Sequence, residues 1–123
     1  MPDVDAEYLA LEIGSEDWCG LWELLWYLNT KMTDVAFDER ARIAATALRR
    51  LNDAGHLKFS RAPWPHSKPG GSVTREELDA ELDSQGWRQV PPVCDIWFTN
   101  TEEGDSEYQA RAAVLFASHP PIR

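Results

Sequence analysis

The stretch Ala47-Leu48-Arg49-Arg50-Leu51-Asn52-Asp53-Ala54-Gly55-His56-Leu57-Lys58-Phe59 changes its hydrophobic period at a single glycine. Before that glycine, Ile43, Ala44, Ala47, Leu48 and Leu51 form the apolar stripe of a helix that starts at Asp38 or its neighbours and runs to Ala54. Gly55 ends the helix, because glycine takes the left-handed conformation of a helix stop without steric cost. Beyond it the sequence alternates, with Leu57 and Phe59 on one side and His56, Lys58 and Ser60 on the other. That alternation predicts a half-buried strand.

Upstream, Leu9, Leu11 and Ile13 recur at a period of two, which reads as a short strand, with a helical turn as the alternative. Gly14 breaks this segment. Ser15 can cap a following helix, and Glu16 and Asp17 suit its positive first turn. The helix spans about residues 16 to 31, with Trp18, Leu21, Trp22, Leu25 and Leu28 as its stripe and Leu24 and Trp26 beside it. Only a narrow face near Gly20, Glu23 and Tyr27 is left for water. A helix this apolar sits at the centre of a core or against a partner, and the core is the expectation.

Downstream, Ala62 to Pro92 is a long excursion that opens on Pro63-Trp64-Pro65 and Pro69-Gly70-Gly71. Within it, Thr74 and Glu77 form a capping box for a short helix holding Leu78 and Leu82. Val93 to Thr99 alternates as a second strand, with Cys94, Ile96 and Phe98 on one face and Val93, Asp95 and Trp97 on the other. Thr101 can cap a last helix with Tyr108, Ala112, Leu115 and Phe116 on its apolar side, ended by His119-Pro120-Pro121. The expectation is a single α+β domain over residues 1–123, with helices packed on a small antiparallel sheet and an insertion at about 62–92.

The order helix, glycine, strand, excursion, strand, helix resembles the second half of a winged-helix domain. Residues 47–59 resemble the end of a recognition helix running into the first wing strand. Ile96-Trp97-Phe98-Thr99-Asn100-Thr101-Glu102-Glu103-Gly104, with Tyr108 beyond, is similar to the second wing strand and following helix of bacterial regulators of the multiple-antibiotic-resistance and phenolic-acid-repressor types. A similar layout recurs in small uncharacterised actinobacterial proteins. The resemblance covers residues 16–61 and 93–117 and implies a winged-helix-like fold with a helix-containing insertion in place of a simple wing. It departs from the pattern at Met32 to Phe37, where about one helical turn stands in for the helix that precedes the recognition helix.

Composition narrows the function classes. Hydrophobic residues make up 43% and charged residues 27%, and six tryptophans are too much aromatic surface for a disordered chain. No apolar run reaches the roughly 18–20 residues that span a bilayer. The acidic start Met1-Pro2-Asp3-Val4-Asp5 has no signal-peptide character, so a cytoplasmic protein without a membrane partner is expected. Cys19 and Cys94 lie far apart in apolar surroundings, and buried free thiols are the expectation, with a disulfide left open. His56, His66 and His119 are isolated and no Cys-x-x-Cys pair exists, so no metal or other cofactor is expected. A Gly-rich phosphate loop, a nucleophile elbow and a His-Glu-x-x-His motif are all missing, which points away from an enzyme.

Net charge is −9, which opposes nucleic-acid binding. The charge is nonetheless uneven. Residues 1–37 carry eight acids and one base, residues 38–75 carry eight bases and three acids, and residues 76–123 carry ten acids and three bases. The basic middle contains the recognition-like helix. At about 100° per residue, Arg42, Thr46, Arg49 and Asp53 share its outer face, with Arg50 at the edge.

Two readings follow. In the first, the domain acts through another protein as an adaptor, subunit or inhibitor, with Trp64, His66 and Tyr27 as candidate interface residues. The acidic flanks and the tryptophan content support it. In the second, it is a DNA-binding regulator, dimeric through its terminal helices. Arg42, Thr46, Arg49 and Arg50 would then enter the groove, while Lys58, Arg61 and Lys68 touch phosphates. Against the second stand the acid–base pairs Asp38–Arg42 and Arg49–Asp53, four residues apart, which make the same face an ordinary solvated one. Glu76, Glu77, Asp79, Glu81 and Asp83 likewise read as a solvated helix face. The first reading is preferred.

Overall fold

A computed structural model describes residues 5–62, 70–90 and 92–118. In chain order the elements are α1 (Ala6–Gly14), β1 (Cys19–Gly20), α2 (Leu21–Lys31), α3 (Phe37–Asp53), β2 (Leu57–Arg61), β3 (Gly70–Ser72), α4 (Arg75–Asp83), β4 (Ile96–Asn100) and α5 (Glu102–Ser118). A single 3-10 turn, Gly86–Arg88, lies between α4 and β4.

The first correction falls on residues 8–13, which are helical. The Asp5 carboxylate caps α1 by accepting the Tyr8 N–H at 3.0 Å. Ala6, Leu9, Ala10 and Ile13 form a helical stripe, and Leu11 is buried as well. Leu9, Leu11 and Ile13 satisfy both periods, and the Asp5 cap favours the helix. α1 packs on α2, α3, α5 and β4. Three helices therefore precede β2, and Met32 to Ala36 is a plain connection, held by the Val35 N–H donating to the Met32 carbonyl at 3.1 Å, with Phe37 already the first residue of α3. The helix expected from residue 16 begins only at Leu21. Gly20 is buried in β1 and Trp18 lies ahead of the helix.

The sheet is antiparallel with strand order β1-β4-β2-β3. Phe59 faces Phe98 across β2 and β4, and Cys19 faces Phe98 across β1 and β4. The second strand is shorter than expected and starts at Ile96. Helices α1, α2 and α3 bury Leu57, Phe59, Ile96 and Phe98 in one large core. This α+β arrangement, helices on a small antiparallel sheet with a helix-containing insertion, is compatible with the winged-helix-like class.

The other face of the sheet is covered at Ser60 and Trp97 and open at Lys58. Trp97 points there because side chains alternate along a strand. It meets Trp22 edge-on with centroids 5.0 Å apart, and its Nε1–H donates to the Ala62 carbonyl at 2.9 Å. Trp18 and Trp26 pack around them. Gly20 is glycine for this reason, since a Cβ there would overlap the Trp22 ring. The insertion helix is anchored by the same kind of chemistry. Leu78, Leu82 and Trp87 are fully buried, the Trp87 Nε1–H donates to the Leu82 carbonyl, and the Thr74–Glu77 capping box forms as expected.

Candidate interaction surfaces

The α3 face that would read DNA is flanked by carboxylates of the same chain. Arg49 is turned aside onto α4, its Nε donating to Asp79 Oδ1 and its Nη2 to Asp83 Oδ1, both at 2.8 Å. The hydrogen bond that Arg49 donates to Asp79 leads the effects that raise the pKa of Arg49. Arg50 reaches Glu7 of α1 at 3.4 Å, and Arg42 holds Glu39 through two hydrogen bonds. The local pairs expected from sequence are therefore rearranged. Asp38 pairs with Arg88 at 3.7 Å, and Asp53 pairs with Arg75 at 3.3 Å. The acids of α4 are not a merely solvated face either, since Glu77, Asp79 and Asp83 each hold an arginine. Non-local geometry wins here, because tertiary packing brings α4 beside α3.

Arg61 follows the same logic, with Nη1 on Asp95 Oδ1 at 2.6 Å and Nη2 on Glu77 Oε2 at 3.1 Å. Lys58 is exposed on β2, its Nζ lying 6.0 Å from the centroid of the Trp18 ring. Of the residues proposed for DNA, Arg42, Thr46 and Arg50 come together along a groove between α1 and α3 that also exposes Asp5 and Glu7. Arg49, Lys58 and Arg61 point elsewhere. Trp64, His66 and Lys68 lie outside the described residues.

A second surface surrounds the remaining candidate, Tyr27. The end of α1, the turn leading to β1 and the start of α2 enclose a cleft of about 280 Å³ whose walls include Glu12, Glu16, Asp17, Trp18, Glu23 and Tyr27. Glu23 accepts the Gly20 N–H at 2.6 Å, which fixes the start of α2. Burial raises its pKa against the lowering effect of that hydrogen bond. Cys19, also in the wall, donates its thiol to the Ile13 carbonyl at 3.2 Å, and burial pushes it up to about 12. Farther along α2, Glu23, Trp26, Tyr27 and Thr30 line an adjoining depression.

Sequence reading singled out Tyr27 alone from this surface. The carboxylates converge because α1 is a helix that ends beside α2, a juxtaposition with no local signature. Both cysteines are free thiols. Among the described residues, no three His, Cys, Asp or Glu side chains are grouped to hold a metal ion, and no helix is long and apolar enough to cross a membrane. No family model, curated protein or solved structure matches the chain.

Proposed function

We propose that the chain is a non-enzymatic, winged-helix-like module that works by binding another protein, as an adaptor, subunit or inhibitor. The observation that carries this reading is the Arg49 side chain. It sits in the C-terminal half of the recognition-like helix and is held by two carboxylates of the chain's own insertion helix. A phosphate would have to displace both, on a molecule of net charge −9. Two free cysteines suit a reducing compartment such as the cytoplasm.

The test combines chemical crosslinking of the tagged chain in its host with a DNA-binding titration of the purified chain at low salt. A stoichiometric protein partner and no DNA binding are expected. Salt-steep DNA binding that disappears in Arg42→Ala/Arg50→Ala would overturn the reading.

A DNA-binding regulator remains the second reading because Arg42, Thr46 and Arg50 are exposed along one groove. Arg42 and Arg50 have side chains 66% and 72% exposed, so their ion pairs are weak enough to exchange for phosphate. Dimerisation in that reading would use α5, where Val114 and Leu115 are exposed.

A further inference from the structure

We propose that the free flank of α5 is the docking surface for the partner protein, and that it takes an amphipathic helix with lysine or arginine in its last turn. This rests on the protein-binding reading and names the shape and charge that the partner presents.

Helical spacing sets this flank apart. Gly104, Tyr108 and Arg111 share the face of α5 that is turned to the body. A Cβ at Gly104 would overlap the His56 carbonyl, Tyr108 stacks on Tyr8 at 5.5 Å, and Arg111 reaches Glu7 at 3.2 Å. One step round the helix, Glu103, Glu107, Ala110 and Val114 follow the same spacing of threes and fours. They line two depressions that meet at Glu107 and Ala110. One, of about 540 Å³, lies toward the start of α5, and the other, of about 350 Å³, lies toward its end.

The apolar end of this groove is the anchor. Val114 and Leu115 are 66% and 42% exposed beside Tyr8 and Ala110, within the uncharged run 112–118. Adjacent large apolar side chains over a depression mark a binding surface, whereas single scattered ones do not. The other end fixes the partner's charge. Glu102 and Glu103 line it, and among the described residues neither takes part in an ion pair. Glu107, between the two ends, is already held by Arg111. A helix fits a groove with one side chain every three or four residues, extending about 16 Å from Glu103 to Val114. Laid antiparallel to α5, that helix brings its last turn, where lysine and arginine are favoured, beside Glu102 and Glu103.

The same polarity makes a second copy a poor occupant. Parallel pairing of two α5 helices sets acid against acid, and full antiparallel pairing sets acid against Val114 and Leu115. Overlap of the apolar ends alone joins roughly two turns, far short of the ~800 Å² per partner of a stable interface.

The test is a nuclear magnetic resonance titration of the ¹⁵N-labelled chain at low salt with the peptide acetyl-Ser-Leu-Gln-Ala-Leu-Leu-Gln-Ala-Leu-Lys-Lys-amide. The control peptide has two glutamates in place of the lysines. Shifts centred on Glu103, Ala110 and Val114 are expected, with the lysine peptide binding more tightly. Val114→Ser/Leu115→Ser should weaken binding about tenfold, as loss of an apolar anchor does. Glu102→Gln/Glu103→Gln should weaken it about threefold. Val90→Ser/Val93→Ser removes side chains that are 78% and 67% exposed elsewhere, and should change affinity less than about twofold.

Equal weakening by the two serine variants would reduce the effect to general stickiness and overturn the proposal. So would equal binding of the glutamate peptide, or no binding at all. Sedimentation equilibrium of the chain alone should show a monomer. A dimer lost in Val114→Ser/Leu115→Ser would assign the flank to a second copy and overturn the proposal as well. If the peptide fails while the crosslinked partner meets another face, this proposal falls and the protein-binding reading stands. If the chain captures no protein and binds DNA, both fall.

Discussion

Arg49 and Asp79 are thirty residues apart in sequence and 2.8 Å apart in space, and their ion pair ties α4 to α3. Arg49 also holds Asp83, and Arg75 of α4 reaches back to Asp53 of α3. The two helices are thereby cross-linked by charge in both directions. Arg49→Ala should lower stability by about 1 kcal/mol, with the loss shrinking at high salt, because the group is partly shielded and bonded twice. Asp83→Asn should cost less than about 0.5 kcal/mol, since that carboxylate is 75% exposed. Urea denaturation at low and high salt checks both.

Gly55 and Gly104 should respond differently to alanine. Gly55 has φ +79° with open space around it, so Gly55→Ala costs only the left-handed backbone conformation, about 1–2 kcal/mol. At Gly104 a Cβ would overlap the carbonyl oxygen of His56, which belongs to the backbone and cannot swing aside. Gly104→Ala should therefore destabilise more than Gly55→Ala. Thermal melts of the two variants, compared with the parent, decide the order.

Much of the fold was legible because it rests on local signals. Gly55, the Thr74–Glu77 box, Leu78 and Leu82 inside, Leu57 and Phe59 facing the core, and the Thr101 cap, whose Oγ1 accepts the Gly104 N–H at 3.0 Å, all come from neighbouring residues. Residues 8–13 misled because Leu9, Leu11 and Ile13 fit both periods, and the helix lies in a site buried on several sides, so its pattern is not amphipathic. Read as a strand, that segment makes α2 the first helix and leaves the order one helix short. The candidate site was less legible. Arginine partners thirty or more residues away, and a carboxylate cluster assembled from two helices and a turn, depend on tertiary placement.

The outer tryptophan layer gives a third prediction. Trp97→Phe keeps most of the ring volume but removes the Nε1–H that satisfies the Ala62 carbonyl. Leaving a buried acceptor unpaired costs about 1–3 kcal/mol. A denaturation midpoint unchanged from the parent would show that this carbonyl finds another donor.

Stability should also fall in alkali. Burial holds the Cys19 and Cys94 thiols at about 12, against an ordinary value of 9.0. In the unfolded chain they lose their protons near that ordinary value, so between pH 9 and 12 the folded state binds more protons and stability declines as pH rises. Below pH 9 the contribution is fully present. Urea midpoints from pH 8 to 11 should slope downward, and Cys19→Ala/Cys94→Ala should flatten part of that slope.

The sheet's outer strands limit how anything else can join it. β1 has two residues and β3 has three, so the strands at its two margins are short. Chains that recruit partners by extending a sheet need a longer run of free main-chain donors and acceptors. Recognition by this protein must then be written in side chains. The same short margins keep neighbouring copies from zipping together through their backbones, so the molecule should stay dispersed when crowded.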